Sequence, residues 1–221
     1  MRFQNRREAG RELLARLSKI DRQNAVVIAL PRGGVPVGDE VARGLGIPLD
    51  VILVRKVGAP MQPELAVGAV TDGEDMQVTV NESIKAELGL SDADIEVLAK
   101  RQLPEIERRR RLYYEGRKPT PLAGKTVIVV DDGVATGATV NSALRLIRKQ
   151  KPARLILALP VAPPDAISRL EKEADEVVCL LTPVPFYAVG AHYSDFSQTE
   201  DSEVIEILRR SRGGETAAET E

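Results

Sequence analysis

Two adjacent carboxylates, Asp131 and Asp132, end the apolar run TVIVV and are followed at once by the glycine- and threonine-rich stretch GVATGAT. Gly133 and Gly137 let the backbone turn tightly, and the amides of residues 134 to 139 are predicted to point inward. A helix beginning near Gly137 would add the positive end of its dipole. One phosphate fits such a cradle. The stretch lacks the Lys of a triphosphate-clamping G-x-x-x-x-G-K-[ST] loop, and it is not a dinucleotide fingerprint. The carboxylates would repel the same phosphate, so they must face something neutral and hydroxylated, or a cation. Vicinal sugar hydroxyls with Mg2+ nearby meet both conditions. The expected ligand is a sugar carrying a phosphate at one end. Two Asp at a strand end are also ordinary turn formers; the GVATGAT that follows them favours the ligand.

The elements that must hold these residues are legible as alternating helices and apolar runs. Ala9, Leu13, Leu14 and Leu17 have helical spacing over residues 5–19, and AVVIALP then reads as a buried strand. A helix over about 35–44 follows PRGGVPVG, LDVILV is a second strand, TVIVV a third, RLILALP a fourth and EVVCLL a fifth, with helices at 138–149 and 164–173. Continuous rather than alternating apolar strands predict an α/β fold, a parallel twisted sheet covered by helices on both faces. Ligands of such sheets sit at the carboxyl ends of the strands. Three loops therefore face one crevice: PRGG, RKVGAP and DDGVATGAT. Between the second and third core strands lies a long excursion, with a short strand or hairpin at 67–80 and a long helix from the N-cap Ser91 to about Tyr114. The chain reads as one domain over 1–212: a core at about 20–180, a lid and helical excursion at about 57–118 and a C-terminal hood at about 181–212. The polar end, 213–221, is expected to be disordered.

Composition narrows the classes. The chain has 221 residues, 43% of them hydrophobic, and a formal charge of -2, which argues against a dedicated nucleic-acid binder. The apolar runs are too short to span a bilayer. Cys179 is the only cysteine, so no intrachain disulfide forms, and MRFQNRREAGRELL has no apolar signal core; a cytoplasmic protein is expected. Cys179 reads as a small core residue, the single His192 as a loop residue, and Arg108 to Arg111 as a solvated helix face because Glu105 and Glu107 accompany them.

VIVVDDGVATGAT resembles the ligand signature of the type I phosphoribosyltransferases: an apolar strand, two acids and a short Gly/Thr loop that together bind phosphoribosyl pyrophosphate. The resemblance implies that Asp131 and Asp132 hold the ribose hydroxyls and that Val134, Ala135, Thr136, Gly137, Ala138 and Thr139 hold the 5-phosphate, with Gly133 between them also in the substrate site. It gives pyrophosphate to Arg32, Gly33 and Gly34, with Arg55 and Lys56 as the basic pair after the second strand. Asp131, Asp132, Arg32 and Lys56 are the groups expected to act in catalysis, with Mg2+ held near the acid pair indirectly, through ligand or water. Family members stack a flat acceptor on a C-terminal hood; here Phe186, Tyr187, Tyr193 and Phe196 are the candidates, although packing of a small subdomain would also explain them. The implied function is transfer of ribose 5-phosphate to a nitrogenous, nucleobase-like acceptor with release of pyrophosphate. The partners are then small molecules only, without nucleic acid or membrane, and a homodimer is left open. The alternatives are a regulatory protein that binds phosphoribosyl pyrophosphate without catalysis, and an aspartyl-phosphate phosphatase. The latter wants an acid two residues after the first, where Gly133 stands.

Overall fold

The structure is a computed structural model and describes residues 2–17, 20–71 and 77–213. Five parallel strands form the main sheet in the order β2 (Leu49–Val51), β1 (Ala25–Ala29), β6 (Thr126–Val130), β7 (Arg154–Val161) and β8 (Glu176–Leu181). The strands are apolar throughout because both faces are covered. Val27, Ala29, Ile128, Val130, Ile156 and Ala158 pack on the side of α1 (Arg6–Leu17), α2 (Gly34–Leu45) and α8 (Asp201–Gly213). Their neighbours Val26, Ile28, Val127, Val129, Leu155 and Leu157 pack against α6 (Ala138–Lys149) and α7 (Pro164–Leu170). Alternate residues of a strand face opposite sides, so each strand contributes to two cores.

The excursion between β2 and β6 differs from the sequence expectation in two places. LDVILV is not one strand: the chain leaves the main sheet after Val51 and enters a second, antiparallel sheet of β3 (Val54–Ala59), β4 (Gln62–Thr71) and β5 (Gln77–Val80). An apolar run records burial, not the sheet in which each residue is buried. The long helix also divides, after α3 (Glu82–Glu87), into α4 (Asp92–Lys100) and α5 (Leu103–Tyr114). Ser91 caps α4 in a reciprocal capping box with Asp94. Pro104, at the start of α5, has no N–H to donate to the carbonyl of Lys100, and its ring would clash there, so the first helix stops. Part of the 67–80 hairpin and the tail beyond 213 lie outside the described residues.

The two ends of the chain meet over the main sheet. Phe3 bridges to Tyr193, and Ser194 and Asp195 donate their amides to the carbonyls of Phe3 and Gln4, both at 2.8 Å. The expected hood region therefore splits: residues 182–200 run over the carboxyl ends of the strands, and α8 packs on α2, α5 and β2. Among the described residues, no helix is long and apolar enough to cross a membrane.

Candidate active site

The PRGG turn after β1 and the acid loop after β6 lie against each other because their strands are neighbours in register, Ala29 beside Val130. The two glycines permit the approach. A Cβ on Gly33 would fall 2.0 Å from Oδ2 of Asp132, and one on Gly34 would fall 2.7 Å from the carbonyl oxygen of Val130 and 2.9 Å from Cα of Asp131. Both carboxyls are pushed above the ordinary aspartate range. Burial is the main cause for each, the charge of Asp132 adds to it at Asp131, and Arg6 opposes it at Asp132. The Asp132 amide donates to Oδ1 of Asp131 at 2.9 Å, and Arg6 Nε donates to Oδ2 of Asp132 at 2.8 Å.

Beyond the acids the loop opens into a set of donors. Val134 is spent structurally: its amide donates to the Val161 carbonyl at 2.9 Å and its side chain is buried. The five amides from Ala135 to Thr139 make no hydrogen bond with the described protein. Gly137 takes φ of 80° as the N-cap of α6 and offers no side-chain cap, so the first turn stays open. Arg169 braces the loop from α7 by donating to the Thr136 carbonyl at 3.3 Å. A cavity of about 490 Å³ starts at Thr136, Gly137 and Ala138 and is bounded by β4, β5 and the ends of α6 and α7.

Arg32 precedes the glycines that touch the acid loop, and its guanidinium faces Glu200 at 3.7 Å and Asp201 at 3.9 Å, among the described residues. Arg55 shares a small hollow with Pro31 and Arg109. Lys56 follows Arg55 on β3 and so points to the other face of that sheet; it does not line the hollow.

The family description "Phosphoribosyl transferase domain" matches residues 3–195. The chain belongs to that family. Proteins provisionally named phosphoribosyl transferases from two Mycobacterium tuberculosis strains, CDC 1551 / Oshkosh and H37Rv, are each 45% identical over 208 residues, 94% of this chain. The chain spans about half the length of these relatives, 46% of each. A crystal structure of a Thermus thermophilus protein superposes with a TM-score of 0.81 at 44% identity, covering 95% of this chain and 99% of that one. The fold is accordingly the α/β fold of the type I phosphoribosyltransferases.

Within this member of the family, Gly33 and Gly34 lie against Asp131 and Asp132, whose loop continues into the 135–139 amides, and Arg55 shares its hollow with Pro31 of the same turn. Of the four aromatics, three have contacts within the protein. Tyr193 is buried, packs between Phe3 and Phe196 and donates its hydroxyl to the Asp132 carbonyl. Phe196 carries the Arg6 guanidinium 4.0 Å above its ring. Phe186 stacks on His192 with centroids 5.8 Å apart, and Tyr187 is 83% exposed. Tyr193 and Phe196 thus brace the acid loop, directly and through Arg6, whereas Phe186 does so in no recorded contact and Tyr187 stands exposed. Sequence reading did not single out Arg6, which the structure places on Asp132, or Arg109, which it places in the hollow of Arg55. Arg109 lay in the discounted basic run, where its pairing with Glu105 made it look solvated. Arg6 is 126 positions from Asp132, and no local pattern points to it.

Proposed function

We propose that the chain binds phosphoribosyl pyrophosphate and transfers its ribose 5-phosphate to a nitrogen acceptor, releasing pyrophosphate. The observation that carries this reading is the junction, in one loop, of a half-buried acid pair with five amides that make no hydrogen bond with the described protein. The amides of Ala135 to Thr139 take the 5-phosphate at the positive end of α6. Asp131 and Asp132 accept hydrogen bonds from the ribose hydroxyls. Their charge also lies near the ring, which becomes cationic as the bond from C1 to pyrophosphate breaks. Arg32, the backbone of Gly33 and Gly34, and Arg55 receive the leaving group, and its charge displaces the distant acids that face Arg32. Arg109 adds a third cation on that side. The acceptor nitrogen then attacks C1 from the opposite face, with the β3–β5 sheet serving as the lid that keeps water away. The acceptor is read as nucleobase-like.

Among the described residues no group of three or more His, Cys, Asp or Glu could hold a metal by itself. The acid pair suits a cation that takes its other ligands from hydroxyls, pyrophosphate and water, as Mg2+ does. When bound, Mg2+ would neutralise charge on the pyrophosphate.

Calorimetry with phosphoribosyl pyrophosphate and Mg2+ tests the binding; no heat of binding would end the proposal. Arg32→Ala should weaken phosphoribosyl pyrophosphate more than ribose 5-phosphate, because only the former has the group that Arg32 meets. Equal losses would refute that placement. Pyrophosphate release across a panel of purines, pyrimidines and small amines then tests turnover, and binding without release would favour the regulatory alternative.

A further inference from the structure

Arg6 lies outside every motif that marks the family resemblance, yet among the described residues it is the one ion-pair partner of the acid pair. It is firmly seated. Nε donates to Asp132, Nη1 donates to the Ser197 carbonyl at 2.6 Å, the guanidinium lies over the Phe196 ring, and the side chain is only 12% exposed. The four carboxylate oxygens are therefore not equivalent. Oδ1 of Asp131 receives the Asp132 amide and Oδ2 of Asp132 receives Arg6. Oδ2 of Asp131 and Oδ1 of Asp132 accept no hydrogen bond from another described residue, and neither is a fully buried orphan atom. One oxygen per carboxylate is left without a hydrogen bond, two in all, one for each hydroxyl of a vicinal diol.

We propose that Arg6 is a positioning residue of the sugar site: by holding Oδ2 of Asp132 it turns Oδ1 toward one ribose hydroxyl and sets the preference for a sugar with both hydroxyls. This rests on the reading of the acid pair given above. Without Arg6 the carboxylate is free to rotate, and the diol must order it on binding; with Arg6 it is ordered beforehand.

The test is the affinity for ribose 5-phosphate relative to 2,3-dideoxyribose 5-phosphate, measured by calorimetry on the full chain. Losing bonds to a charged acceptor should cost the dideoxy sugar about tenfold or more in the unmodified protein. In Arg6→Ala that ratio should fall to about threefold or less, with the dideoxy sugar itself little changed. Arg6→Lys, which keeps the charge but not the fork, should give an intermediate ratio. Arg11→Ala, on the same helix but outside the site, should leave the ratio alone. A merely structural role would weaken both sugars together and preserve the ratio in Arg6→Ala, which would overturn the proposal. Tighter binding of ribose 5-phosphate would also overturn it, since Arg6 would then be competing with the sugar. Should Arg6→Ala fail to fold, an unchanged ratio in Arg6→Lys is equally fatal. If the unmodified protein does not discriminate between the sugars, the diol reading of Asp131 and Asp132 falls as well, whereas a failure confined to the Arg6 variants leaves that reading standing.

Discussion

Asp131 and Asp132 are kept where the folded chain would be better off without their charge. A carboxyl with a pKa higher in the folded than in the unfolded chain holds its proton more tightly when folded. Stability is therefore present at low pH and is lost as pH rises from the ordinary aspartate range through the raised value. Burial raises both acids. At neutral pH the ligand-free protein thus carries an unfavourable charge that Asp131→Asn removes while its side-chain oxygen can still accept the Asp132 amide. That variant should be more stable at pH 7 by about 1 kcal/mol, roughly 2–4 °C in thermal midpoint, and the gain should vanish toward pH 4. Its affinity for ribose 5-phosphate should fall about ten- to a hundredfold, because a charged acceptor has been lost. Thermal melts across pH beside calorimetry check both halves; a lower midpoint at pH 7 would show that the pair stabilises the fold rather than serving a ligand.

Strands, turns and helices set what each residue can do, and the two glycines of the first turn separate site from fold. Gly33 has φ of -60° and ψ of -33°, which any residue adopts, so the Cβ of Gly33→Ala meets side-chain rather than backbone atoms, the Asp132 carboxylate that it would displace from Arg6. Sugar-phosphate affinity should drop about tenfold while the thermal midpoint stays within a few degrees. The Cβ of Gly34→Ala meets backbone atoms of Val130 and Asp131, which cannot step aside, so its midpoint should fall instead, by an amount typical of overpacking, about 1–3 kcal/mol. Equal effects from the two changes would show that the turn is not divided in this way. The meeting of these two loops was legible in the sequence, because VIVVDDGVATGAT and PRGG each sit in a few consecutive residues after a strand. The covered parallel sheet was equally legible from five apolar runs. The second sheet was not, because LDVILV reads the same whether its halves share a sheet or part company. The division of the long helix was signalled by Pro104 alone. The role of Val134 depended on which amide meets Val161, a matter of three-dimensional register.

At the scale of the molecule, the site depends on how the two ends of the chain are tied down. Asp39 on α2 is buried and receives Arg7 of α1 at 3.0 Å and Arg210 of α8 at 2.7 Å. Arg7 adjoins Arg6, so the ion pair that holds α1 to the core also holds the guanidinium over the acid pair. Asp50 on β2 makes a comparable tie elsewhere. It accepts from the Thr120 amide and hydroxyl at 2.8 and 2.7 Å and faces Arg212 at 3.8 Å, and it touches neither α1 nor the acid loop. Removing either acid should destabilise the fold. For Asp39→Ala the loss should be about 1–3 kcal/mol, because both arginines are partly exposed and can return to water. The two changes should part at the ligand. Well below the thermal midpoint, Asp39→Ala should weaken ribose 5-phosphate severalfold by loosening α1, whereas Asp50→Ala should bind it normally despite a lowered midpoint. Calorimetry at about 15 °C on both variants, well below the midpoints expected of such domains, with midpoints measured in parallel, decides the matter: normal affinity in a folded Asp39→Ala protein would mean that Arg6 keeps its place without the anchor beside it.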